Sequence, residues 1–499
     1  LVVYSNQELE SLIENTVQSF SAIPQTHPPM LKHEILTSDA QRGHITYIEP
    51  VRNLRELSIG FEMPPTIAND LDGKVPELIG YALTNKSENS LYAQLKKEGL
   101  AENIDYDADR LDKNTMMLTF RIDLTHQGLA LVDQVIERIF QTLNLMKQRS
   151  LPSYLFGEAR KMSELRYQWQ SRVPAFEFVM ELADQMVDEP LESYPHKTVT
   201  LHAFKAKSIA DLLANMTPNN AVFTLLAPSK LTKQSTDRIE KWHGGSYTIV
   251  PIDEQKLALW EQTELHPRIA NPHENKYIPT DLSLTTQIQE KEKFVPTLLG
   301  SDSTGKCYFM QDHFYLVPEV SIRLGFKSPE INTKTKSIAL TDLFALTYQN
   351  QLSPILSTAS RAGIHTHIFQ SELKLNFSFN GYSEKIPSLV TTVLKSIKNS
   401  LPTVEEFELY KEDLLSTYEN QQKSLPFYQA QTLLQSVLFN NAKTSCDLYD
   451  ALSTVTYRDF QNFHEQILRQ HYIEGMIIGN MREDNAKILW KNIRQTIPA

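Results

Sequence analysis

The chain has 499 residues, 41% of them apolar and 22% charged, and a formal net charge of −11. That length supports two or three domains with real cores, and the negative balance excludes the basic surface that nucleic acid or an anionic membrane would call for. Cys307 and Cys446 are its two cysteines, so no disulfide framework or thiolate metal site is implied, and no 18-residue apolar run is present to span a membrane.

Leu1, Val2, Val3 and Tyr4 read as a buried strand. Ser5 with Glu8 reads as a capping box, and Leu9, Leu12, Ile13, Val17 and Phe20 follow at helical spacing. A strand with no partner before it is expected to be the closing unit of an earlier, truncated domain. The same strand–turn–helix unit recurs in "AVFTLLAPSKLTKQSTDRIEKWHG" from Ala221 and "IEGMIIGNMREDNAKILWKNIRQTI" from Ile473, each with a helix of about four turns expected.

Two further stretches precede the later copies. "HITYIEPVRNLRELSIGFEMP" from His44 and "GKCYFMQDHFYLVPEVSIRLGFKSP" from Gly305 both read as β-hairpins ending at a proline, Pro64 or Pro329. "SLYAQLKKEGLAENI" parallels "PILSTASRAGIHTHI": in each a helix ends at a C-capping glycine, Gly99 or Gly363. "MMLTFRIDLTHQGLALVDQVIERIF" parallels "LKLNFSFNGYSEKIPSLVTTVLKSI", an alternating strand, a polar turn and an amphipathic helix. In the first of these Leu131, Val135, Ile136, Ile139 and Phe140 share a face.

The expected fold is therefore α+β: two tandem homologous α+β domains, each an antiparallel sheet packed with helices, preceded by the terminal strand and helix of a third copy. The boundaries read as 1–40 for the end of the truncated domain, 41–250 for the second domain and 305–499 for the third. Residues 251–304, punctuated by Pro251, Pro267, Pro272, Pro279 and Pro296, read as an interdomain linker.

The chemical motifs are weak. Gly300, Gly305 and Lys306 fit the phosphate-loop spacing, but Cys307 stands where Mg²⁺ needs a hydroxyl. Charged "QEKEKF" comes shortly before it and strand-like "CYFMQ" after, so a flexible loop ahead of a hairpin is expected. His365 and His367 point the same way on a predicted strand and read as a half-buried face. His464, Glu465 and His471 read as a solvated helix face; the two imidazoles are about 10 Å apart along the axis, too far for one ion. None of the 14 histidines has another at +4, and the chain holds no HExxH, HxxEH or GxSxG.

In their order and spacing the repeated units resemble the insulinase-like zinc metallopeptidases with the inverted HxxEH motif. The segments that carry the likeness are "LVVYSNQELESLI", "VRNLRELSIGFEMP", "TNKSENSLYAQLKKEGL", "MTPNNAVFTLLAPS", "NPHENKYIPTDLSL", "SIRLGFKSPEI", "FSFNGYSEKIPSL" and "EGMIIGNM". The resemblance implies the end of domain one, all of domain two, the linker and all of domain three. The family's zinc ligands lie in domain one and its transition-state Arg and Tyr in domain four, so it implies no catalytic and no metal residue on this segment.

By the same likeness, zinc is a cofactor of the intact enzyme and is not bound here. Peptides are the substrates, the missing N-terminal catalytic and C-terminal domains are the partners, and the location is periplasmic. The implied function is the central portion of a zinc metalloendopeptidase that degrades peptides in an enclosed chamber, with this segment as wall, hinge and exosite. The exosite maps to the loop Asn85–Ser90 and the strand near Ala101–Asp107, with Asn85, Ser87, Ile104, Asp105 and Tyr106 as candidates, because an edge strand can accept an extended peptide. Glu88-Asn89 replaces the family's Pro-Gly or Gly-rich turn, and Asp105, Tyr106 and Asp107 replace a Gly-rich strand end. A plain polar turn before the helix from Ser90 is the alternative for that loop. A non-catalytic scaffold or partner subunit of the same family is the alternative for the function, and fold alone does not separate the two. A third class, an ATP-dependent protein, would use Gly300–Lys306.

Overall fold

Alternation of apolar and polar residues marks several of the long strands of this protein. The computed structural model describes residues 1–24, 26, 37–112, 114–170, 173–285 and 295–498. Contacts divide the chain into two units: the first holds 1–49, 55–84 and 89–272, the second 50–54, 85–88 and 273–499.

The first unit carries β1 (His44–Ile48), β2 (Glu56–Met63), β3 (Ala101–Asp112), β4 (Thr115–Leu124), β5 (Ala221–Leu226), β6 (Arg238–Ile239) and β7 (Ser246–Pro251), in the order β3-β4-β2-β5-β1-β7-β6. The second carries β8 (Thr297–Asp302), β9 (Gly305–Gln311), β10 (Glu319–Lys327), β11 (Ile364–Ser371), β12 (Lys374–Tyr382) and β13 (Tyr472–Gly479), in the order β11-β12-β10-β13-β9-β8. Five strands therefore repeat in one order, β3-β4-β2-β5-β1 matching β11-β12-β10-β13-β9. Each sheet has one parallel pair, β1 with β5 or β9 with β13, so both are mixed where purely antiparallel sheets are expected from the sequence.

That order corrects the two expected hairpins. β1 and β2 are not paired, because β5 lies between them, and β13 likewise separates β9 from β10. A hairpin needs a short turn, and neither the Glu49–Arg55 nor the Asp312–Pro318 connection is one; each bridges the width of an inserted strand.

One face of each sheet is covered by helices. Leu118, Phe120, Ile122 and Leu124 alternate inward on β4, and Val320, Ile322 and Leu324 on β10. Helix Val132–Arg149 buries Val135, Ile136, Ile139 and Phe140 as its spacing predicts, although Leu131 sits outside it at the N-cap and is exposed. Helix Ile386–Asn399 buries Ile386, Leu389, Val390, Val393, Leu394 and Ile397. Each such side chain contributes roughly 1.5–3 kcal/mol, far more than helix propensity supplies. Gly99 (φ 67°) and Gly363 (φ 74°) are the left-handed C-caps expected of them.

Other expectations give way. Leu1–Tyr4 forms no strand, having no ladder partner among the described residues. Helix Leu9–Phe20 follows it with Glu8 at the N-cap and no side-chain cap, and Ser5 Oγ accepts from the Gln7 N–H instead. That helix buries none of its residues. After β5 the expected long helix is one turn, Ser229–Thr232, ended by Lys233 in the left-handed region (φ 57°); the chain then returns through β6 and β7. The polar run from Gln234 to Asp237 offers no apolar face to bury, so a helix there gains nothing from the sheet. After β13 the helix does form, Glu483–Thr496.

His464 and His471 are buried, not solvated. His471 lies beyond helix Tyr457–Arg469. His464 stacks on Phe344 and Tyr348, and its Nε2 is 2.9 Å from the Ile397 carbonyl. Burial lowers the pKa of both imidazoles. His365 and His367 stand exposed on the edge strand β11.

Candidate functional site

The phosphate-loop spacing dissolves into a hairpin. Gly300 lies in β8, Gly305 and Lys306 open β9, and the turn between them has no helix after it to receive phosphate. Gly305 has a packing reason: a Cβ there would meet the Ile473 carbonyl at 2.7 Å and the Trp490 ring at 3.2 Å. Lys306 is bound to Glu474, which also pairs with Lys327 and Lys374. Among the described residues no three His, Cys, Asp or Glu gather closely enough to hold a metal ion.

The exosite candidates fall in two places. Asn85 and Ser87 group with the second unit, and Ile104, Asp105 and Tyr106 with the first. Asn85 is buried, and its Oδ1 accepts the Ser87 N–H at 2.8 Å, a self-contained Asx turn. Ser90 Oγ then accepts the Ala93 N–H and caps helix Leu91–Lys97.

In the first unit, β3 is the edge of the sheet, paired with β4 on one side and with no strand on the other among the described residues. Ile104 is fully buried, so only its backbone faces the edge. The Tyr106 ring lies directly on Gly80 of helix Val75–Leu83, filling the space of the absent Cβ. Asp105 is exposed and accepts from Asn103 Nδ2 at 2.6 Å. Asp107 pairs with Arg121. What this strand can offer a ligand is main-chain hydrogen bonding.

Residues of the second unit that the sequence does not mark hold the stretch 275–285. Asn275 Nδ2 donates to the Thr358 carbonyl at 2.7 Å, and Tyr277 is buried in the core. Glu384 accepts from the Thr280 N–H, the Thr280 hydroxyl and the Asp281 N–H. Burial works to raise the Glu384 carboxyl, but those donors and Lys385 outweigh it and hold its pKa down to about 2. Asn480 Oδ1 accepts from the Thr285 N–H and hydroxyl, while its Nδ2 donates to the Ser283 carbonyl and Ser383 Oγ. Asn480 follows Gly479 (φ 135°) at the end of β13. Only that Gly-Asn pair after an apolar strand hints at it in sequence, and its partners Ser283 and Thr285 lie nearly two hundred residues away. The run Gln289–Phe294 lies outside the described residues. Asn480→Ala is expected to cost about 2 kcal/mol, read as a lower urea midpoint together with faster proteolytic cleavage within 279–285.

Comparison with known proteins gives this geometry its family. The model described as the middle or third domain of peptidase M16 matches residues 167–451, and the one described as the peptidase M16 inactive domain matches 1–163. The chain belongs to the peptidase M16 family. The boundary between the two matches falls at the end of helix Ser153–Gln168, inside the first contact unit. Protease 3 of Escherichia coli O157:H7 is 27% identical over 509 residues, covering all of this chain and 51% of its own length. "Insulin-degrading enzyme-like 1, peroxisomal" of Arabidopsis thaliana is 23% identical over 499 residues, again with all of this chain and 51% of the relative. The crystal structure of pitrilysin superposes with a TM-score of 0.68 at 24% identity, over 99% of this chain and 52% of that one. This M16 chain thus has the pitrilysin-like fold and spans about half the length of the curated relatives it matches. No helix among its described residues is long and apolar enough to cross a membrane.

Proposed function

We propose that this M16 chain is the non-catalytic portion of a periplasmic zinc metalloendopeptidase, acting with a zinc-bearing portion that holds HxxEH. The observation that supports this most is the match of residues 1–163 to the family's inactive-domain model, on a chain whose described residues hold no zinc donor set. The reading takes 41–250 and 305–499 as two walls of a peptide chamber and 251–304 as their linker and hinge. The exosite candidates are Asn85, Ser87, Ile104, Asp105 and Tyr106, and on this reading the edge of β3 receives an extended peptide as an added strand.

The purified chain is expected to hydrolyse no peptide with or without Zn²⁺, yet to bind an unstructured peptide. N-methylation at alternate peptide residues is expected to weaken that binding about tenfold, because added-strand binding rests on main-chain N–H groups. Zinc-dependent turnover by the chain alone would overturn the non-catalytic assignment. Binding indifferent to N-methylation would overturn the exosite.

A further inference from the structure

The second sheet has a furnished cavity on the face that the core helices do not cover. On β10, Val320 and Ile322 are buried in the core, so Glu319 and Ser321 alternate to the opposite face. There, at the ends of β9, β10, β12 and β13, a cavity of about 480 Å³ opens, within the range of small-ligand sites. Met310, Val317 and Ile478 give it apolar walls. Its rim is the β9–β10 connection, which carries Phe314 and Tyr315, both exposed and packed edge to face at 4.9 Å. Asp312 shapes that rim by accepting the N–H groups of Phe314, Tyr315 and Leu316.

The charges in it have one sign. Asp312 and Glu319 line the cavity, and among the described residues no lysine or arginine does. Among the described residues no donor or cation reaches the Glu319 carboxylate, and burial raises its pKa. A half-buried carboxylate beside apolar walls and two exposed aromatic rings is complementary to one chemistry: a cation at the end of a hydrocarbon stem. The cation pairs with the carboxylate where the local dielectric is low, the rings attract it through their faces, and the stem covers the apolar wall.

We propose that this cavity is a binding site for a lysine or arginine side chain of a peptide, with Glu319 as counter-ion and Phe314 and Tyr315 as the aromatic rim. The site lies in the second unit and recognises a side chain instead of a main chain. It draws on the metallopeptidase reading only for the peptide nature of the ligand.

The test uses the full chain and fluorescent alanine-rich pentapeptides, blocked at both ends, with a central lysine, arginine or norleucine. The lysine and arginine peptides are expected to bind about tenfold more tightly than the norleucine peptide. Glu319→Gln, close to isosteric, is expected to abolish that preference and Tyr315→Ala to narrow it, with both variants keeping the parent unfolding transition. Equal binding of the lysine and norleucine peptides, or a preference that survives Glu319→Gln, would overturn the proposal. Because binding is read without turnover, a chain that proved catalytic would refute the non-catalytic assignment and leave this site standing.

Discussion

Gly381→Ala is expected to destabilise the second unit by about 4 kcal/mol, from roughly 2 for backbone strain and roughly 2 for overlap in a packed site. Gly381 has φ 137°, a conformation that side-chain-bearing residues rarely adopt. A Cβ there would drive into the Gly363 carbonyl oxygen, with Gly363 C and Ile364 Cα each at 2.9 Å behind it. Backbone cannot swing aside as a flexible side chain can, so strand β12 or the helix end at Gly363 must move. Gly157 makes the control. It is exposed within helix Ser153–Gln168, and a Cβ there meets nothing within 4 Å. Gly157→Ala is expected to stabilise by about 1 kcal/mol. Urea midpoints of the two variants check both signs; a Gly381→Ala chain as stable as its parent would mean that the approach of β12 to the turn at Gly363 does not hold in solution.

The same contact shows how far sequence carries. Gly99 and Gly363 are legible as C-caps because a helix end announces itself within a few residues. Their partners are not. Gly128 presses on the Leu100 carbonyl in the first unit and Gly381 on the Gly363 carbonyl in the second, close approaches visible only once the strands are in place. Strand existence is equally local, and β2, β4, β10 and β12 lie where alternation puts them. Pairing is not local: β5 enters between β1 and β2 from more than 150 residues away, and no periodicity encodes that. The burial of His464 is hidden for the same reason, since a histidine on a helix reads as exposed until Phe344, Tyr348 and the Ile397 carbonyl close around it. The loop at Asn85 and the strand at Ile104 enter through family likeness, whereas nothing in the sequence assigns a task to Glu319, Glu384 or Asn480. Their roles come from what the fold sets opposite them.

Asp342→Asn is expected to stabilise the second unit at pH 7 by about 2 kcal/mol. Asp342 lies on helix Thr335–Gln351, and its Oδ2 accepts the Tyr418 hydroxyl at 2.7 Å. Burial drives its carboxyl from the ordinary 3.8 up to about 6, more than the Tyr418 hydrogen bond draws it down. The folded chain therefore holds this proton more tightly than the unfolded chain does. Its contribution to stability falls as pH rises between about 4 and about 6, and above that a constant penalty remains. The full shift corresponds to about 3 kcal/mol, reduced here because part of the side chain still meets solvent. Asparagine keeps an acceptor for Tyr418 and carries no charge, so the gain is expected near pH 7 and absent near pH 4, where the native carboxyl is protonated too. Urea unfolding of both proteins across that range separates the titration from simple repacking. A difference that does not change with pH would assign the effect to packing, and a loss at pH 7 would mean that the Tyr418 hydrogen bond outweighs the buried charge.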